Sequence, residues 1–193
     1  IGGTLVSISS FAQHNMAGLG PSSSCKFGDI VVAGTVVLNA TTTSLVCKAP
    51  TQEPSVVELY ISPNGQDYMP TGSNFTYVHA PVVHSVFPDS VTNHTDFITV
   101  EGSHLAYGDS PVCCSFGAER TSATVIDTHT IKCDVPVHWD SIRFGFERKL
   151  SVSVNCVDFH ESDSSVRRLA LPQHIHVSPN FGFQEGGTVV VVS

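Results

Sequence analysis

One phrase is written twice in this chain, and the repetition limits the possible folds more than any other feature. Cys25-Lys26-Phe27-Gly28 returns 89 residues later as Cys114-Ser115-Phe116-Gly117. Leu45-Val46-Cys47-Lys48-Ala49-Pro50 returns as Ile131-Lys132-Cys133-Asp134-Val135-Pro136. The alternating Val56-Val57-Glu58-Leu59-Tyr60-Ile61 has its counterpart in Leu150-Ser151-Val152-Ser153-Val154-Asn155-Cys156. A period of this length exceeds the roughly 20–50 residues of solenoid repeats and suits a sandwich domain.

Each copy reads as a series of strands. Val, Ile, Thr and Ser dominate, Gly and Pro punctuate, and apolar residues do not recur at helical spacing, which is all-β composition. In the first copy, Leu5, Val6 and Ile8 open a strand, Ile30 to Ala33 form another, and Gly34 predicts a break before Val36 to Leu38. Residues 56–61 run into Ser62-Pro63-Asn64-Gly65, where Asn-Gly is a strong hairpin signal. Phe75-Thr76-Tyr77-Val78 closes the unit, and Pro81-Val82-Val83-His84-Ser85-Val86-Phe87-Pro88 starts the next.

The ends are out of phase with the repeat. Ile175-His176-Val177-Ser178-Pro179 echoes residues 83–88, and Gly186-Gly187-Thr188 then leads into Val189, Val190, Val191 and Val192. Ile1-Gly2-Gly3-Thr4-Leu5-Val6 repeats that Gly-Gly-Thr phrase. The reading divides the chain into 1–80, a unit lacking its first strand; 81–174, a complete unit; and 175–193, the start of a further unit. The chain opens on Ile rather than Met and shows no signal peptide, so its numbering is expected to start inside a processed chain.

The run P-x-V-x-x-V-x-P, a G-G-T strand, C-x-F-G, C-x-x-P, a hairpin strand and F-x-Y resembles the IPT/TIG immunoglobulin-like domain. The second copy departs from it at Thr95-Asp96-Phe97, in place of G-G-T, and at Arg168-Leu169-Ala170-Leu171, in place of F-x-Y. The resemblance implies tandem Greek-key β-sandwiches, a fold used in receptor ectodomains, large surface proteins, some transcription factors and carbohydrate enzymes.

Cys25 with Cys47 and Cys114 with Cys133 occupy equivalent places and predict two disulfides, each contributing about 3 kcal/mol in the chain-entropy model. By elimination Cys113 pairs with Cys156, and since neighbouring side chains on a strand face opposite ways, Cys113 and Cys114 take separate partners. These bridges read as structural, because a redox role would need an exposed thiol of low pKa and nothing in the sequence argues for one. Sequons at Asn39, Asn74 and Asn93 join the cysteines in predicting an extracellular or cell-surface glycoprotein whose sugars mask strand edges.

Other chemistries find little footing. A net charge of −8 with nine Lys and Arg argues against nucleic acid and against anionic membrane surfaces. No apolar run approaches the roughly 20 residues of a membrane span. There is no G-x-S-x-G elbow, no H-E-x-x-H and no phosphate loop, so no enzyme and no cofactor are expected. His174-x-His176 is the best metal candidate but lacks a third ligand of clear spacing, and no metal site is expected. Asp158-Phe159-His160-Glu161-Ser162-Asp163 reads as a polar hairpin tip, and Arg167-Arg168 as a charged edge.

The offset ends suggest a function. An exposed valine run is an aggregation hazard, and burying two valines on one face would contribute about 1.5–3 kcal/mol each. One end lacks a strand that the other has to spare. The sequence therefore predicts donation of residues Ile175, Val177, Phe181, Phe183, Val189, Val190, Val191 and Val192 to the first unit of the next molecule. Such a heterologous contact propagates as a fibre, making the chain a structural subunit whose partner is itself. The alternative is a recognition or adhesion segment of a longer ectodomain, among neighbouring IPT/TIG repeats as in plexin-like or fibrocystin-like arrays.

Overall fold

The computed structural model describes residues 2–9, 19–38, 43–92, 94–136, 147–169 and 175–192. Within them the chain is all-β. The first unit holds β1 (Leu5–Ser9), β2 (Ser24–Phe27), β3 (Ile30–Leu38), β4 (Thr43–Lys48), β5 (Ser55–Ser62) and β6 (Met69–Tyr77). They pair in the order β1-β4-β3-β2-β5-β6. The first half of β3 pairs with β2 and the second half with β4, so β3 carries the chain from one layer of the sandwich to the other.

Gly34 sits at that crossing, and the expected break does not occur: β3 runs through it. The glycine is there for space. A Cβ at Gly34 would lie 2.5 Å from Leu45 Cδ1 and 3.1 Å from Cys47 Sγ, so only hydrogen fits beneath the Cys25–Cys47 bridge. That bridge ties β2 in one layer to β4 in the other, with Cα atoms 6.2 Å apart. Cys25, Phe27, Leu45, Cys47, Ala49, Leu59 and Tyr77 form the buried core. The inward positions alternate along each strand, as a two-layered sheet requires.

The second unit repeats this order. Its strands are β7 (Val82–Phe87), β8 (Ser90–Val91), β9 (Phe97–Ser103), β10 (Val112–Phe116), β11 (Glu119–Val125), β12 (Thr130–Asp134), β13 (Glu147–Ser153) and β14 (His160–Arg168). The sheet order β7-β9-β12-β11-β10-β13-β14-β8 contains the six strands of the first unit and adds one at each end. β7 lies antiparallel on β9, and β8 lies parallel on β14. Cys114–Cys133 stands where Cys25–Cys47 stands in the first unit, beside buried Phe116, Ile131 and Leu150.

Three sequence expectations shift in register. Cys156 does not lie on the Leu150 strand, because β13 ends at Ser153 and Cys156 falls in the following turn. The acidic stretch is only partly a hairpin tip: Asp158 is in the turn, whereas His160, Glu161, Ser162 and Asp163 are on β14. The place of Phe75-Thr76-Tyr77 is taken by Val166-Arg167-Arg168. Thr76 pairs with Val56 as Arg167 pairs with Glu147, each ahead of the same irregularity in its hairpin. Arg168 thus occupies the site of Tyr77 and is buried, at 5% exposure, rather than standing on a charged edge.

Residues 175–192 form a third element. β15 (Val177–Ser178) pairs antiparallel with β16 (Val191–Val192), with Val177 opposite Val192. This matches the β7–β9 pairing of the second unit, where Val86 lies opposite Val100. Gly186 and Gly187 both adopt left-handed backbone between the two strands, at φ of 84° and 83°. The segment expected to be a spare strand is paired within its own chain.

A candidate functional site at the joint between the units

The two units meet through a turn whose sequence occurs in both. Ser62-Pro63-Asn64-Gly65-Gln66-Asp67 follows β5, and Ser153-Val154-Asn155-Cys156-Val157-Asp158 follows β13. Asparagine in such a turn accepts backbone N–H groups with its side-chain oxygen, mimicking a backbone turn. In the first unit Asn64 Oδ1 accepts from Gln66 N at 3.0 Å, Asp67 N at 2.9 Å and Ser62 Oγ at 3.0 Å. Asn64 Nδ2 donates to Asp67 Oδ2 at 2.8 Å. The second unit copies each bond. Asn155 Oδ1 accepts from Val157 N at 3.0 Å, Asp158 N at 2.9 Å and Ser153 Oγ at 2.9 Å, and Asn155 Nδ2 donates to Asp158 Oδ2 at 3.0 Å.

In the second unit the turn reaches across the joint. Thr4 Oγ1 donates to Asp158 Oδ2 at 2.6 Å. Thr4 is held in place by its neighbours, since Ala49 N donates to Thr4 O at 2.8 Å and Gly3 N donates to Ala49 O at 2.9 Å. A hydrogen bond to a carboxylate is roughly twice as strong as a neutral one. Beside it, the His79 and His104 rings stack with centroids 4.7 Å apart. Between the units lies a cavity of about 800 Å³ whose lining includes Thr4, Lys48, Tyr77, His79, Asp158 and His160. Tyr77 is buried, its hydroxyl has no hydrogen-bond partner among the described residues, and burial raises its pKa.

The hairpin that carries the turn is braced by charge. Lys149 Nζ lies 2.8 Å from Glu161 Oε1, and Arg167 pairs with Glu147. Hydrogen bonds from Arg167 and Ser165 hold the Glu147 carboxyl below its ordinary range, and the bond to Glu161 raises Lys149.

The other sequence-predicted sites are scattered. Cys113–Cys156 closes beside the joint, with Cα atoms 5.0 Å apart. Asn74 is exposed on the outer strand β6, opposite Glu58; Asn39 and Asn93 lie outside the described residues. Ile175, Val177, Phe181, Phe183 and Val189 to Val192 are all exposed, Phe181 at 81% and Phe183 at 82%. His174 lies outside the described residues, and among those described no group of three or more His, Cys, Asp and Glu could hold a metal. Thr4 and Asn155 do not stand out in the sequence as site residues, and Asp158 reads there only as part of a polar hairpin tip, although the twofold Ser-x-Asn-x-x-Asp marks the turn.

The family profile described as IPT/TIG domain matches residues 81–167, the span from β7 to the end of β14. These residues form an IPT/TIG domain. Among solved structures, the chain is similar to the full extracellular region of plexin A4, domains 1 to 10, at 13% identity and a TM-score of 0.51. That match covers 95% of this chain and 17% of the plexin chain. A second plexin A4 extracellular structure matches at 12% identity and a TM-score of 0.37, over 87% of this chain and 23% of that one. The SGBP-B of the Bacteroides ovatus mixed-linkage glucan utilization locus, in complex with a mixed-linkage heptasaccharide, matches at 12% and 0.35, over 86% and 42%. At 13% identity the first of these matches is a likeness of fold alone. No curated relative matches the sequence. The first unit shares the IPT/TIG domain's six-strand order and its interlayer disulfide.

Proposed function

We propose that this chain is a recognition or adhesion segment of an extracellular, multidomain ectodomain built from tandem IPT/TIG units, and that it acts without catalysis. The observation that carries the reading is the joint. The turn of one unit is hydrogen-bonded to the strand start of the unit before it, and β15 pairs with β16 as β7 pairs with β9, which supports reading residues 175–192 as the start of a further unit. Three disulfides fit an oxidising compartment. No helix among the described residues is long and apolar enough to cross a membrane. Glycans on Asn74 would project from the outer strand β6, away from its pairing with β5.

The fibre expected from the sequence stands as the second reading, favoured by the exposed apolar face of residues 175–192. It would require β15 and β16 to part before either could enter another molecule. Sedimentation of the purified chain over a wide concentration range separates the two. The array reading expects monomers that truncation at Leu169 leaves unchanged. Head-to-tail oligomers that vanish on that truncation would overturn it in favour of the fibre.

A further inference from the structure

The three disulfides do not stand in equivalent surroundings. Cys25, Cys47, Cys114 and Cys133 are sealed in the two cores, at 0%, 1%, 0% and 0% exposure. Cys113 and Cys156 are only partly buried, and their bridge has no counterpart in the first unit. Cys113 faces away from the core on β10, opposite Ser153. Cys156 lies in the joint-forming turn with left-handed backbone, φ 57°, where the first unit has Gly65 at φ 76°. Glycine adopts that conformation freely, and a residue with a Cβ does not.

The first unit pins its turn differently. Ser24, in the place of Cys113, hydrogen-bonds Tyr68 Oη at 3.0 Å, and Tyr68 belongs to the same hairpin as Gly65. In the second unit the place of Tyr68 is Phe159, which has no hydroxyl, and the ring instead packs under Arg120. A covalent bond thus stands where the first unit has a hydrogen bond. The turn it holds is the one that reaches Thr4.

We propose that Cys113–Cys156 is a thiol-exchange site at which a dithiol reductant sets the stiffness of the joint. A thiolate of the reductant attacks one sulfur of the bridge. The Cys113–Cys156 S–S bond breaks, a mixed disulfide forms, and the other cysteine leaves as a thiolate that takes a proton from water. The second thiol of the reductant then attacks the mixed disulfide. The reductant departs as an internal disulfide, and two electrons and two protons remain on Cys113 and Cys156. The reactive thiolate belongs to the reductant, so this chain needs no cysteine of low pKa. Released from its tether, Cys156 leaves the left-handed conformation. The Asn155 turn relaxes, Asp158 loses its position and Thr4 its acceptor, while Cys114–Cys133 keeps the core of the unit intact.

Two measurements test this. The native chain is treated with graded dithiothreitol without denaturant, alkylated and mapped by mass spectrometry. Cys113 and Cys156 should be labelled at concentrations at least about tenfold below those that label the other four, as exposed bridges reduce before sealed ones. Labelling of all six together overturns the proposal. The second measurement compares C113S/C156A with C113S/C156G by hydrogen exchange at the amides of Val157, Asp158 and Ala49. The alanine variant should exchange about fivefold faster or more at all three, and the glycine variant should recover most of the protection, because glycine holds the left-handed turn untethered. Wild-type exchange in the alanine variant, or equal loss of protection in both, overturns it.

Discussion

The two units share six strands in one order, yet their cores differ in depth. Among the described residues, thirteen hydrophobic side chains are sealed in the second unit and seven in the first, where Val6, Ile8, Val32, Val36 and Phe75 remain partly open. The second unit has β7 outside β9 and β8 outside β14, so a single segment of chain caps one layer and crosses to cap the other. Val91 is fully buried as a result. In the first unit no described strand pairs with the outer edge of β1 or of β6. The contrast shows how much of a small sandwich is sealed by one strand that changes sides, since the rest of the pairing scheme is common to both.

Core truncation should break the symmetry between the units most strongly. Phe116→Ala is expected to cost the second unit about 3–5 kcal/mol in chemical denaturation. Phe27→Ala should cost the first unit less, because its partly open neighbours can close over the cavity. Equal losses would show that the depth of the core does not matter here. Next comes Val91→Ala, which removes two buried methyl groups beneath β8 and should cost about 2 kcal/mol, read in the same experiment. If it is neutral, β8 does not seal the second unit.

Smaller again is the coupling between units. Thr4→Val keeps the shape of the side chain and removes the donor to Asp158. A double-mutant cycle with Asp158→Asn on unfolding free energy should return about 1–2 kcal/mol of interaction. A value near zero would leave the joint to the stacked histidines and the chain link alone. The smallest effect belongs to Glu147→Gln. Hydrogen bonds from Arg167 and Ser165 hold the carboxyl of Glu147 below its ordinary value in the fold, so its contribution is fully present above that ordinary value and fades as pH falls through the lowered one. The variant should melt within about 2 °C of the native chain at pH 7, and the difference should vanish once the pH has fallen below the lowered value.

Much of the strand order was legible because the chain carries its own alignment. Cys-x-Phe-Gly and Cys-x-x-Pro recur at one offset, and alternation between them sets which residues face inward. The misreadings have physical causes. Gly34 resembles a strand break in sequence, but its missing Cβ makes room for Leu45 and Cys47, which only the packed structure reveals. Cys156 looks like the last residue of an alternating strand, because a left-handed turn leaves no mark when the residue that adopts it is not glycine. Arg168 reads as surface until the register with Glu147 places it inward. The joint was least legible. Asn155 and Asp158 follow a turn pattern, but nothing local to Thr4 marks it as the partner of a residue 154 positions away.

The parallel placement of β8 beside β14 has a mechanical consequence. β8, the far end of the segment that enters the IPT/TIG domain through β7, and β14, the leaving strand, run side by side, joined by Arg167 N to Asp89 O at 2.9 Å and Leu169 N to Val91 O at 2.8 Å. Tension applied at the two ends of the domain pulls parallel neighbours in opposite directions, so these bonds are sheared together instead of unzipped one after another. A single-molecule pull should show one abrupt rupture; a gradual yielding at low force would mean that β8 peels away first.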